Sequence, residues 1–163
     1  MNEKYGTCLL TTSTTYLKAI LEVGTIGSIR LSNAAVRSML ANHHGGVIVN
    51  ISPTLAISGH FEGAPYAMTR AAIVTLTKHM VREYGRRNIR AYTLMLGNVG
   101  IEATYKFMTE EERLRGAQEA AMKQWGEQDE VAKVAACVAS DSFSFATGNI
   151  ITIDGGAVMS SPG

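Results

Sequence analysis

Gly45-Gly46-Val47-Ile48-Val49-Asn50-Ile51-Ser52-Pro53 is a glycine pair, then a short β-branched run, then a proline stop, a pattern that predicts a buried strand entered through a turn. Working outward, Leu31, Ala34, Ala35 and Met39 recur at spacings that place them on one helix face. They predict a helix over 29–41 with that stripe turned inward. Downstream, residues 64–86 form the longest periodic stretch, with Ile73, Leu76, Met80 and Tyr84 on one stripe and Thr77, Lys78 and Arg82 between them. A second strand follows over Ile89–Leu94.

Gly97 opens a loop that runs to Thr109, where Thr109 and Glu112 match a capping box and start a charged helix toward Trp125. Acidic Glu127, Asp129 and Glu130 open another helix, with Val131, Val134, Ala135 and Val138 facing inward. A last strand, Asn149–Ile153, is stopped by Asp154-Gly155-Gly156. Strands separated by long helices imply parallel pairing through crossovers. The expected class is therefore α/β, a doubly wound parallel sheet with helices on both faces, in one domain over residues 1–163.

Composition narrows the function. The 46% hydrophobic content of 163 residues is enough for a core. Fifteen basic against 14 acidic residues leave a net charge of +1 with no basic block, which argues against nucleic-acid binding. No apolar run approaches the roughly 20 residues of a membrane helix, and the N-terminus lacks a signal-like pattern, so a soluble cytoplasmic protein is expected. Cys8 and Cys137 stand far apart without metal-ligand spacing, and His43, His44, His60 and His79 show no i, i+4 pair. No metal site is expected. The eight methionines fit adaptable packing or an interface.

The segments GGVIVNIS, YAMTRAAI, RRNIRAYTLMLGNV, WGEQDEVAKVAACVASD and FATGNIITIDGG, in that order, resemble the landmarks of the short-chain dehydrogenase/reductase family. The resemblance covers Gly45 to Gly156 well, extends loosely over the helix near Leu31 to Met39, and is faint before Thr25. It implies a Rossmann-like sheet of which the first βαβ segment, with its Gly-x-x-x-Gly-x-Gly phosphate turn, is missing from this sequence. Tyr5 to Thr12 stands where the family has a strand ending in Asn-Asn-Ala-Gly, with the run Leu9-Leu10-Thr11-Thr12-Ser13 in place of that ending. Gly24-Thr25-Ile26-Gly27-Ser28 lacks the strand-turn-helix context of a phosphate cradle and reads as a turn before a helix. Thr54-Leu55 and residues 77–80 are also similar to dienoyl-CoA reductases of the same superfamily, although Tyr66 at the ordinary catalytic position argues against their variant site.

By resemblance the cofactor is NAD or NADP and the substrate a small carbonyl or secondary alcohol. Tyr66 matches the family's proton donor and acceptor. A free phenol ionises only near pH 10, and a cation one helical turn away supplies electrostatic help. That cation is Arg70, where the family has lysine; a guanidinium holds charge but does not release a proton near neutrality. Thirteen places before Tyr66, the family's serine position, stands Pro53. Ser52 is the candidate substitute, although alternation on an extended segment sets its side chain opposite that of Pro53. The family's relay asparagine aligns near Gly24. Gly97 and Val99 correspond to the loop that meets the nicotinamide, with Leu96 replacing a proline and Ile101 a phosphate-binding threonine.

Two readings follow. One is an oxidoreductase with Tyr66, Arg70 and Ser52 in the catalytic positions and Tyr66, Arg70, Gly97 and Val99 toward the cofactor. The other is a non-catalytic relative serving as an association module. Either way the strand Val47–Ile51 presents an apolar edge, so a homo-oligomer is expected through that edge or through the helices at 29–41 and 64–86.

Overall fold

The computed structural model describes residues 9–59 and 63–158. Leu9–Thr11 forms a short 3-10 turn where the family comparison suggested a strand end, and Tyr5 to Cys8 lie outside the described residues, as does His60. Helix α1 (Thr14–Leu21) passes through a π-helical turn, Glu22–Ile26, into α2 (Gly27–Asn42) without a break. Ser13 caps the run by accepting from the Tyr16 N–H. The turn expected at 24–28 is therefore helix interior. Gly24 is small because another helix packs on it, not because the chain reverses there.

The run ends at His43, whose left-handed φ of 57° breaks the helix, and Gly45 (φ 74°) then brings the backbone against Asn88. Strand β1 (Gly46–Pro53) follows, then a turn of helix α3 (Leu55–Ser58), the long helix α4 (Ala64–Tyr84) and strand β2 (Ile89–Leu96). The region expected to be loop from Gly97 to Thr109 contains strand β3 (Val99–Gly100) and helix α5 (Glu102–Tyr105). Helix α6 (Glu110–Gln118) starts on the expected Thr109–Glu112 capping box but stops short of Trp125. Strand β4 (Gly126–Glu127), helix α7 (Gln128–Ala139) and strand β5 (Ile150–Ile153) complete the order. A second capping box, Glu127 with Glu130, starts α7.

Strands β1, β2 and β5 form a parallel sheet in that order, with Gly46 to Pro53 opposite Ile89 to Leu96 and Thr93 to Leu96 opposite Ile150 to Ile153. The alternation of β2 assigns its faces. Ile89 and Ala91 point to Val36 and Met80 of α2 and α4 with Ile48 of β1, whereas Tyr92 and Leu94 point to Val138, Val131 and Val134 of α7 with Val47, Val49, Ile151 and Ile153. Both faces are covered, and the sheet is Rossmann-like as expected. Arg90 spans one end, donating to the carbonyls of Val138, Ala139 and Phe143 and to the Tyr92 hydroxyl.

The helix stripes are partly rotated from the sequence reading. Leu31 is 75% exposed and Ala34 is exposed, while Ser32 and Val36 are buried. A surface stripe of small and apolar residues on α2 obscures the true inner face. On α4, Thr77 lies inside the core stripe. It donates to the Ile73 carbonyl, accepts from Asn50 Nδ2 at 2.9 Å and bonds the Thr93 hydroxyl at 2.8 Å. A buried polar group that is fully partnered is compatible with a core position.

Candidate active site

Strand β1 delivers the chain to the carboxyl edge of the sheet at Pro53, and α4 begins there and runs back along it. Tyr66 and Arg70, in the first two turns of α4, are therefore held at the edge where parallel α/β sheets bind ligands. Gly97 and Asp154 leave β2 and β5 at the same edge. Pro65 in the first turn of α4 suits a position whose N–H has no helical acceptor.

The Arg70 guanidinium carbon stands 4.9 Å from the centroid of the Tyr66 ring, a cation–π contact one helical turn apart. Arg70 Nε is buried and has no hydrogen-bond partner among the described residues. Ser52 is fully buried and its hydroxyl donates to the Arg70 carbonyl at 3.1 Å. Ser52 shares its face of β1 with Ile48 and Asn50, the face that α4 covers. Alternation turns Pro53 to the other face, so the hydroxyl brought to the helix carrying Tyr66 is that of position 52.

Thr69, between these two residues, is buried; its hydroxyl donates to the Tyr66 carbonyl at 2.8 Å. Its side chain fills the space in front of Gly24, where a Cβ would stand 2.8 Å from Thr69 Oγ1. On the neighbouring strand, the Gly97 N–H donates to the Ile153 carbonyl at 3.0 Å. A Cβ at Gly97 would stand 2.7 Å from Asp154 Cβ, so glycine is required by the passage of the chain after β5. Asp154 is itself committed, accepting from the N–H groups of Gly156 and Val158. Val99 pairs with Gly126 in the small sheet of β3 and β4.

A cleft of about 470 Å³ opens between β5 and the segment before β4, with Asn98, Met122, Gln124, Val134, Thr152 and Asp154 among its walls. Tyr66 and Arg70 are not among them. Its two carboxylates, Asp154 and Glu130, are both engaged by backbone N–H groups. Acid–base chemistry is better supported at Tyr66, where a half-buried phenol and a cation meet at the sheet edge.

The residues that shape the excursion 101–125 carry no motif in the sequence. Trp125 Nε1 donates to the Arg113 carbonyl at 2.8 Å, the Trp125 ring meets Tyr105 edge to face at 5.7 Å, and Arg113 stacks on Tyr105 at 4.3 Å. Gly116 admits the Trp125 ring against α6. The single tryptophan eight residues beyond Ala117 in a charged stretch was the available signal. Asn98 donates its amide hydrogens to the Gly116 carbonyl at 3.0 Å and to Glu119 Oε2 at 2.9 Å.

Residues 2–158 match the family described as enoyl-(acyl carrier protein) reductase. Among curated proteins, the 3-oxoacyl-(acyl-carrier-protein) reductase of Thermotoga maritima is 31% identical over 141 residues, covering 86% of this chain and 56% of that protein. The peroxisomal 2,4-dienoyl-CoA reductase of Mus musculus is 29% identical over 154 residues, covering 89% of this chain and 50% of that one. The chain thus spans about half the length of the curated relatives it matches. Among solved structures, a gluconate 5-dehydrogenase from Burkholderia cenocepacia J2315 in complex with NADP and tartrate superposes with a TM-score of 0.88 at 25% identity, over 96% of this chain and 61% of that one. A 4-hydroxyisoleucine dehydrogenase mutant complexed with NADH and succinate gives a TM-score of 0.90 at 24% identity, over 99% and 67%, a likeness of fold.

Proposed function

The chain belongs to the enoyl-(acyl carrier protein) reductase family of short-chain dehydrogenases/reductases, and on that premise we propose that it supplies the proton-transfer machinery of an NAD(P)-dependent oxidoreductase acting on a carbonyl or secondary alcohol. The observation that carries this reading is the Tyr66–Arg70 stack at the carboxyl edge of the sheet, with Ser52 bonded beneath it. Tyr66 donates its phenolic proton to the carbonyl oxygen in reduction and takes it back in oxidation. Arg70 holds positive charge beside the ring. Ser52, fully buried and bonded to the Arg70 carbonyl, supports the helix turn that carries this pair.

The residues present fit a nicotinamide dinucleotide on this side. Arg70 has a buried N–H without a protein partner, Tyr66 has a phenol that can bond a ribose hydroxyl, and Gly97 and Val99 offer backbone at the end of the adjacent strand. When bound, the nicotinamide supplies or accepts the hydride. Residues 1–163 hold no Gly-x-x-x-Gly-x-Gly turn.

A second reading, an SDR-like module whose chemistry has lapsed, is favoured by one observation. The space at Gly24, near which the family's relay asparagine aligns, is filled by Thr69. In both readings we place the protein in the cytoplasm as a homo-oligomer, for β1 is an edge strand of the described sheet and Ile51 on it is exposed. Among the described residues no helix is long and apolar enough to cross a membrane. Sedimentation at micromolar concentration checks the assembly, and a monodisperse monomer overturns it.

The deciding experiment titrates the purified protein with NADH and NADPH by nicotinamide fluorescence, with Tyr66→Phe as the turnover control. Saturable binding and a carbonyl reduction lost in Tyr66→Phe support the enzyme. No binding at millimolar cofactor leaves the lapsed reading.

A further inference from the structure

We propose that Asn98 is a positioning residue, a latch that ties the excursion 101–125 to the Gly97–Val99 loop, so that the excursion and the cofactor-facing backbone move as one unit. Residues 101–125 leave the sheet after β3 and return at β4, and the short β3–β4 pairing, Val99 with Gly126 and Gly100 with Glu127, closes the base like the neck of an Ω-loop. Asn98 stands at that neck and is bonded in two directions. Its carbonyl accepts from the Gly126 N–H at 2.9 Å, which fixes the returning end. Its side-chain amide donates to the Gly116 carbonyl and to Glu119 Oε2, which fixes the C-terminal end of α6.

The rest of the excursion is internally stiff. Trp125, Tyr105 and Arg113 form one stack, with the Trp125 N–H on the Arg113 carbonyl. A body of this kind, held by its own aromatic cluster, moves about its attachment points more readily than it deforms. On the α6 side Asn98, with a site residue on each flank, Gly97 and Val99, makes the direct tie to that loop, while the Met122 N–H on the Gly155 carbonyl at 3.0 Å holds the far end of the excursion to the segment after β5. A ligand that lifts or presses α6 therefore pulls on the backbone between Gly97 and Val99 through Asn98. Under the proposed function this links occupancy of the excursion to the loop that faces the cofactor; the latch itself is a property of the chain whether or not it turns over.

The test is residue-resolved amide hydrogen exchange on the purified protein without cofactor, so its outcome is independent of the oxidoreductase reading. In Asn98→Ala the α6 amides near Leu114 to Gln118 are expected to exchange on the order of tenfold faster, as two hydrogen bonds are lost, while β2 amides keep the wild-type rate and report that the fold is intact. Asn98→Asp removes both donors and sets a carboxylate against Glu119, with the same expected loosening. Adding Glu119→Gln to Asn98→Asp supplies an amide that donates back to Asp Oδ, and α6 protection should partly return; Glu119→Gln alone keeps an acceptor for Asn98 and should exchange like wild type. Wild-type α6 exchange in Asn98→Ala overturns the latch, as does a double variant no tighter than Asn98→Asp.

Discussion

Thr69 occupies the space in front of Gly24: a Cβ built on Gly24 would stand 2.8 Å from Thr69 Oγ1 and 2.9 Å from Thr69 Cβ, closer than packed atoms come. The contact joins the π-helical turn Glu22–Ile26 to the helix that carries Tyr66 and Arg70. Gly24→Ala gains roughly 1 kcal/mol in helix propensity but overpacks the contact by about 1–3 kcal/mol, so net destabilisation is expected. Thr69→Ala removes the obstructing atoms at the loss of one hydrogen bond to the Tyr66 carbonyl. Combined, the two should cost less than the sum of the singles. Urea unfolding of the four proteins of this cycle measures the coupling, and strict additivity would show that the contact does not carry strain.

Thr77 joins Asn50 of β1 and Thr93 of β2 beneath α4. Thr77→Val keeps the shape and leaves Asn50 Nδ2 and the Thr93 hydroxyl without this partner. A loss of about 1–3 kcal/mol is expected, and Thr77→Ser should recover most of it. A midpoint in denaturant for Thr77→Val equal to wild type would mean that water or a rearranged Asn50 replaces the bond.

The strands and the α4 and α7 helices were legible because apolar periodicity and β-branched runs report burial directly. Val131, Val134, Ala135 and Val138 all pack on the sheet as their spacing predicts. What escaped was set by partners distant in sequence. Gly24 reads locally as a turn residue, and only Thr69, placed there by tertiary packing, makes it a helix residue. Thr77 reads as surface until Asn50 and Thr93 are seen to satisfy it. At the site, residue counting pointed to Pro53, whereas the pleat turns Ser52 toward α4. The excursion 101–125 shows only a loop and a charged helix in its sequence because its order comes from Trp125, Tyr105 and Arg113 meeting in space.

Tyr92 is fully buried, its hydroxyl directed at the carbonyls of Phe143 and Ala146 and accepting from Arg90 Nη1. Tyr92→Phe leaves those carbonyls and one guanidinium donor short of a partner in the contact between β2 and the segment after α7. We expect about 1–3 kcal/mol of destabilisation. It should be accompanied by faster amide exchange at Gly148, whose N–H donates to the Ala91 carbonyl. A stability unchanged within a few tenths of a kcal/mol would show that the hydroxyl is spare.

Arg70 separates the two functional readings. Its guanidinium lies over the Tyr66 ring, and its Nε–H faces no protein acceptor among the described residues. If the site is catalytic, Arg70→Met removes both the charge beside the phenol and a donor toward the cofactor. Turnover should fall by on the order of 100-fold, with weaker nicotinamide binding in the same titration. Arg70→Lys shortens the side chain and gives up the planar stack but keeps the charge and restores a group that can exchange protons, so turnover should hold or rise. If the chemistry has lapsed, both variants are silent in the cofactor titration, and Arg70→Met gains stability because a half-buried charge without a counter-ion among the described residues is costly. Parallel measurement of cofactor affinity, turnover and denaturation midpoint decides the matter, for a variant set in which Lys keeps turnover and Met lowers it on the order of 100-fold is incompatible with a merely structural arginine.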